Sequence, residues 1–406
     1  MTRRAVACAA GLTLAACSAQ PARTPLAPTP ARAASVPTSS LAAADWTRVQ
    51  FFLDSAIADT AAPGAVLGVS LNGVHRYYSA GHLGIDHPAR PDSSTVYDLA
   101  SLSKVIGLTT VAMMAVDEHR LELDAPIQRY VPAFQGPGKD RVTVRHLLTH
   151  SSGLPAWRAL YREAADRAGA MALADTTPLD TVPGVRMVYS DLGAIVLTQA
   201  IEHIYGTRID SLLERKVFGP LGLTSTRYLP PAGWLPRIAP TENDPWRGRI
   251  LLGEVHDENA SRLDGVSGHA GLFSDARDLL AFADWLLRGL DVPIATPLPA
   301  GAPEPPHSLR TFIRRQQLPS GSSRALGWDT PSGMSSAGTL LDSTSIGHTG
   351  FTGTSIWMDP TRGLAIVLLS NRVHPTRNNA KWGPVRRGLA DRVVESLFVD
   401  TPPAAR

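Results

Sequence analysis

Apolar residues recur along the chain with two periods, and the places where the period changes mark its elements. Trp46, Val49, Phe52, Leu53 and Ile57 fall at helical spacing and predict an amphipathic first helix. Ala65–Leu71 and Val74–Ala80 then read as two strands joined by Asn72-Gly73, a dipeptide that supplies the positive φ angles of a tight hairpin turn. From Ser101 to about Glu118 the pattern turns helical, with Val105, Leu108, Ala112 and Val116 on one stripe, Ile106 and Met113 beside it, and Gly107 as the weakest helix former. Further helices are expected at Val144–Leu148, Leu192–Ile204, Ile209–Val217 and Ala276–Leu287, and a Pro-rich exposed loop at Asp291–His307. Ser343–His348, Thr354–Asp359 and Leu364–Ser370 read as strands, the last two joined by a Pro360-Thr361-Arg362-Gly363 turn. Val385, Leu389, Val393 and Leu397 mark a closing helix. Strands therefore sit near both ends and helices fill the middle. The expectation is an α/β protein whose antiparallel sheet is assembled from both ends of the folded body, with a sheet lobe at about 43–115 and 323–400 and a helical lobe at about 116–322. No internal repeat of 20 to 50 residues is visible.

Composition narrows the function classes. The 406 residues are 44% hydrophobic and 18% charged, which excludes generic disorder, and a net charge of +3 without a basic run longer than a dipeptide excludes nucleic acid as a partner. Both cysteines, Cys8 and Cys17, lie in the first twenty residues, so the folded body has no disulfide framework or Cys-based metal site. Met1-Thr2-Arg3-Arg4 followed by an apolar run to Ala16 reads as a signal segment, too short to span a bilayer. Its end, Leu14-Ala15-Ala16-Cys17, resembles a bacterial lipobox, which implies residues 1–17 as signal peptide and Cys17 as the lipidated residue; an ordinary secretory signal is the alternative. Residues 18–42, rich in Ala, Pro and Thr, read as a flexible tether to a body at 43–400. An exported, membrane-anchored protein is expected.

Three short motifs carry the chemistry. Ser101 and Lys104 are three apart at a predicted helix start, so the hydroxyl and the amine share one face. A serine needs a base to become nucleophilic, a partly desolvated lysine can take or relay its proton, and a helix start adds N–H groups for a developing oxyanion. Tyr189-Ser190-Asp191 precedes a helix, and His348-Thr349-Gly350 closes a strand. With supporting segments such as Thr143–Leu154, Pro220-Leu221-Gly222-Leu223, Gly268–Phe273 and Leu326-Gly327-Trp328, the chain resembles serine hydrolases of the penicillin-binding-protein and class C β-lactamase superfamily from about Ala65 to Asn379. That resemblance implies an antiparallel sheet flanked by helices with an inserted all-α region, and no cofactor or metal. It also implies Ser101 as acylated nucleophile, Lys104 as its proton partner and Tyr189 as second general acid/base. The backbone N–H groups of Ser101 and Phe351 would form the oxyanion hole, and Asp191, His348, Thr349 and Gly350 would border the substrate.

Two departures from the superfamily bear on substrate. Asp191 stands where β-lactamases usually carry Asn, and an ionised carboxylate cannot donate to a substrate amide carbonyl. His348 replaces a lysine, so a fixed positive charge gives way to a group largely neutral at pH 7. Both favour a peptidase or esterase over a class C-like β-lactamase; the resemblance and the expected envelope location imply D-alanyl peptides of peptidoglycan as natural substrates, and the intact Ser101, Lys104 and Tyr189 speak against a catalytically weak ligand-binding module. Arg372 and His374 are candidates for the missing charge. His256-Asp257-Glu258-Asn259 and Gly268-His269-Ala270-Gly271 read either as substrate contacts at the cleft mouth or as polar turn residues fixing a loop. His146 and His150, four apart but without the Glu of a zinc helix, read as structural histidines, and no G-x-S-x-G elbow occurs at any serine.

Overall fold

The Asn72-Gly73 turn closes with φ of 51° and 83°, both positive as a two-residue hairpin with right-handed twist requires. It joins β1 (Gly64–Leu71) to β2 (Val74–Gly81). Short strands β3 (Tyr97–Asp98), β4 (Arg227–Tyr228), β5 (Asn243–Asp244), β6 (Arg249–Ile250) and β7 (Leu272–Ser274) follow, then β8 (Ile346–Thr349), β9 (Ser355–Asp359) and β10 (Leu364–Ser370). The main sheet runs β2-β1-β10-β9-β8 with every neighbour antiparallel, so the first hairpin and the last three strands form one surface. This computed structural model describes residues 41–42, 44–333 and 335–398. The signal segment 1–17, Cys17 and tether residues 18–40 lie outside the described residues. Leu41 is already buried, and its carbonyl accepts the Trp46 indole N–H at 3.1 Å, so packing begins inside the segment read as tether.

β1 and β10 are buried along their whole length, because the sheet is covered on both faces. Alternate residues divide between two cores. Ala65, Leu67, Val69, Leu71, Leu364, Ile366 and Leu368 face the helices Thr47–Ala58 and Trp382–Phe398, whereas Val66, Ala365, Val367 and Leu369 join the larger core around the helix Ala276–Arg288. Gly68 admits that helix: a Cβ there would meet Leu280 at 3.2 Å and Ala276 at 3.5 Å. Truncating Leu368, 2% exposed, should cost about 2–5 kcal/mol, read as a lower urea midpoint with unchanged slope.

The region between the sheet segments is mainly helical but also carries β4–β7, with β3-β7-β4 forming a three-stranded sheet and β5-β6 a two-stranded one. Strands of two or three residues are too short to show a period of two. The helix Ala276–Arg288, placed by sequence in the helical lobe, packs on the main sheet instead. Amphipathicity shows that a helix has a buried face, not which element covers it. The helix expected at Ile209–Val217 changes at Glu214 into a π-helical turn ending at Phe218. Among the described residues no helix is long and apolar enough to cross a membrane.

Candidate active site

Ser101 follows a backbone turn held by Asp98. Ala100 takes φ 47°, an uncommon value for a residue with a Cβ, and its N–H donates to Asp98 Oδ1 at 2.8 Å. The second oxygen of Asp98 accepts the His256 N–H at 2.6 Å, and burial pushes this carboxyl above its usual range. Beyond Ser101 the chain makes a π-helical stretch, Lys104–Thr109, before the α-helix Thr110–Asp117. Lys104 is buried there, with Nζ 3.0 Å from Ser101 Oγ, 2.9 Å from the His269 carbonyl and 2.7 Å from Asp191 Oδ1. Burial alone would favour the neutral amine, but the Asp191 carboxylate and Tyr189 outweigh it and hold the Lys104 pKa above its ordinary value. Lys104 therefore rests as an ammonium that donates to Ser101 Oγ and the His269 carbonyl and forms an ion pair with Asp191.

Ser190 caps the helix Asp191–Tyr205, its Oγ accepting the Gly193 N–H at 3.3 Å and donating to the Pro155 carbonyl at 2.7 Å. His150 clamps the turn before it. Its Nδ1 accepts the Ser190 N–H at 3.1 Å and its carbonyl accepts the Val188 N–H at 2.8 Å. Burial drives the His150 pKa well below normal, so the ring is neutral as that acceptor role requires. The ring lies 4.5 Å from that of Tyr189, which in turn sits 5.0 Å from Lys104 Nζ and 5.8 Å from the His348 ring. His146 is engaged within its own helix start, where its Nδ1 accepts the Thr143 N–H in a capping box. Among the described residues no cluster of three or more His, Cys, Asp and Glu could hold a metal ion.

The third wall is the end of β8. A Cβ on Gly350 would fall 2.3 Å from the Leu99 carbonyl and 2.1 Å from Thr354 Oγ1, so only glycine lets this backbone reach the Ser101 turn. Thr354 Oγ1 donates to the Leu99 carbonyl at 2.9 Å and Thr352 Oγ1 to that of Asp98 at 2.7 Å, tying the two turns together. Among the described residues the N–H groups of Ser101 and Phe351 have no hydrogen-bond acceptor. Burial holds His348 well below its usual pKa, so it carries no positive charge here; its Nδ1 pairs with the Thr349 carbonyl at 2.9 Å and its buried Nε2 has no partner among the described residues.

Ser101, Tyr189, His348, Thr349, Gly350 and Phe351 line one cleft of about 300 Å³. Arg372 lines it too, but its Nε and Nη1 are tied to the carbonyls of Phe351, Arg377 and Asn379 at 2.8–3.2 Å. His374 lies elsewhere, bonded to the Thr241 carbonyl at 2.7 Å and bordering a separate cavity of about 650 Å³. Two further arginines reach the cleft without any sequence signal. Arg386, from the closing helix, donates to the carbonyls of Gly350 and Thr354, and burial pushes its pKa down to about 9. Arg324 stands 5.3 Å from the Tyr189 ring; among the described residues its buried Nε and Nη1 have no hydrogen-bond acceptor, and Asp329 is 3.9 Å away.

A hydroxyl set against a buried ammonium, with two amide N–H groups open beside it, is the equipment of a serine hydrolase, and a sheet clasped between helices is the β-lactamase fold. The chain belongs to the β-lactamase family: the family model described as Beta-lactamase matches residues 51–390. A protein of Salmonella typhi named "Putative D-alanyl-D-alanine carboxypeptidase" is 31% identical over 328 residues, covering 73% of this chain and 74% of that one. A penicillin-binding protein homologue from Caulobacter crescentus superposes with a TM-score of 0.70 at 18% identity, over 90% of this chain and 99% of its own. A class C β-lactamase from Rhodobacter sphaeroides gives 0.65 at 21% identity, over 85% and 99%. Both structures show the fold shared with this chain.

Proposed function

We propose that the protein is a D-alanyl carboxypeptidase of the cell envelope, working through an acyl-enzyme on Ser101. Ser101 Oγ bonds to the scissile carbonyl carbon while its proton passes to the Tyr189 oxygen beside the Lys104 ammonium, and the N–H groups of Ser101 and Phe351 receive the oxyanion. The C–N bond then breaks and the proton passes to the leaving amine. Water attacks the ester, the acid departs and Ser101 regains its hydrogen. Tyr189 is the nearer candidate to activate that water, since Asp191 holds Lys104 protonated.

Arg324 carries the preference for a peptide that ends in a carboxylate. Arg324 lines a cleft whose histidine is neutral, and its guanidinium can meet an anionic terminus there with a charge-assisted bond. The carboxypeptidase name of the Salmonella relative agrees with this reading. Arg324→Ala should raise KM for a free D-alanyl-D-alanine terminus about tenfold or more, yet leave the amidated peptide unchanged. An equal effect on both peptides would remove Arg324 from substrate recognition.

The deciding experiment is intact-protein mass spectrometry after incubation with a penicillin, alongside turnover of an acyl-D-alanyl-D-alanine peptide, nitrocefin and a short-chain p-nitrophenyl ester. D-alanine release with a stable penicilloyl adduct on Ser101 is the expected result. Rapid nitrocefin hydrolysis would make the protein a β-lactamase, ester turnover alone an esterase, and no adduct or turnover a binding module. The Cys17 anchor has its own check: palmitate labelling that is lost in Cys17→Ser and processing that stalls under globomycin.

A further inference from the structure

His256-Asp257-Glu258 and the loop through His269 hold ionisable groups that the chemistry above leaves unused. Neither Asp257 nor His269 borders the cleft, which argues against substrate contact. The His269 side chain faces inward, and that of Asp257 is partly buried beside it. His269 is 1% exposed and fixed at both ring nitrogens, with Nε2 3.0 Å from Asp257 Oδ1 and Nδ1 2.7 Å from Ser267 Oγ. The same carboxylate oxygen accepts the Ala260 N–H at 2.7 Å, which anchors it in turn. The carbonyl of His269 is the acceptor 2.9 Å from Lys104 Nζ. Just before it, the Gly268 N–H donates to Thr198 Oγ1 at 3.0 Å, and a Cβ on Gly268 would lie 2.9 Å from Leu108, on the Lys104 helix. The loop is thus pressed against the element that carries the lysine, and its one aromatic ring is bonded on both sides.

We propose that Asp257 and His269 are positioning residues for Lys104: the ring, held between Asp257 and Ser267, aims the His269 carbonyl so that it and Asp191 fix the ammonium beneath Ser101 Oγ. This inference rests on the hydrolase reading of the site. A misplacement of 1 Å at such a group is enough to cost a large factor in rate. Charge acts in the same direction as geometry. Burial would raise the Asp257 pKa, but His269 and Lys104 hold it below the usual carboxylate range, and by reciprocity Asp257 favours the ammonium form of Lys104. The groups facing Lys104 are Asp191 and Tyr189, Asp257 and the His269 carbonyl, and His150 and His348. Removing the Asp257 charge therefore lowers the Lys104 pKa.

The test is the rate of Ser101 labelling by a fluorophosphonate on the full chain across pH, with the site confirmed by mass spectrometry and folding by Tm. Asp257→Asn, which keeps an acceptor for the Ala260 N–H, should fold, label about tenfold more slowly at neutral pH and lose rate at a lower alkaline pH than the parent. His269→Ala should slow labelling similarly, and His269→Gln, which keeps a donor toward Asp257, should recover most of the loss. A folded Asp257→Asn variant with the parent's rate and pH profile would overturn the proposal. An unmodified protein that does not label at Ser101 would overturn instead the hydrolase reading beneath it.

Discussion

Ser101→Ala is expected to lower kcat/KM by about 10³-fold or more on every substrate the protein turns over, with no change in Tm beyond a degree or two. Ser101 is only partly buried and its Oγ makes one side-chain contact, to Lys104 at 3.0 Å, so removing it leaves the fold intact. Lys104 keeps Asp191 and the His269 carbonyl in the variant, which means no buried charge loses its main partner. The loss then measures covalent catalysis rather than damage to the site, at about 4 kcal/mol for each thousandfold. Residual activity would come from the open N–H groups of Ser101 and Phe351 acting on a bound carbonyl with water as nucleophile. A variant retaining a tenth of the parent's activity would show that another residue forms the acyl-enzyme, and mass spectrometry of the trapped intermediate would locate it.

The parts of this site that sequence reveals are those encoded by neighbours in the chain. Ser101 and Lys104 share a helix turn, Ser190 announces a cap, and Asn72-Gly73 announces a hairpin, each through a local rule that holds before any packing occurs. The strand expected from Ser343 begins only at Ile346 because Asp342 Oδ1 takes the Thr344 N–H at 2.8 Å and its hydroxyl at 2.7 Å, an Asx turn that competes with the ladder. Arg324 and Arg386 left no trace, since one stands in a Ser-rich loop and the other on the polar side of a helix pattern. Only the docking of the closing helix on the sheet, and of the loop before Leu326 on the cleft, brings them to Tyr189 and Gly350. The tie between Asp257 and Lys104 is hidden for the same reason: its links span separations of 12 and 165 residues, and nothing local distinguishes them from a polar turn.

Lys104→Ala should damage both activity and stability, and the two effects separate with a second substitution. The rate should fall about 10³-fold, because Ser101 loses its side-chain partner 3.0 Å away and Tyr189 loses the cation 5.0 Å from its ring. Stability should fall as well, since Asp191, with 19% of its side chain exposed, keeps its charge but no cation 2.7 Å away, and breaking a buried pair from one side typically costs about 3–5 kcal/mol. Removing Asp191 too relieves that strain. The double variant Lys104→Ala/Asp191→Ala should therefore be more stable than Lys104→Ala while remaining as inactive. Urea unfolding of the four proteins in the cycle gives the coupling directly. If the double variant is no more stable than the single, the pair contributes no mutual stabilisation and the ammonium is held by the His269 carbonyl and Ser101 alone. If it is more stable yet regains activity, the proton from Ser101 does not need Lys104, and Tyr189 with water must carry it.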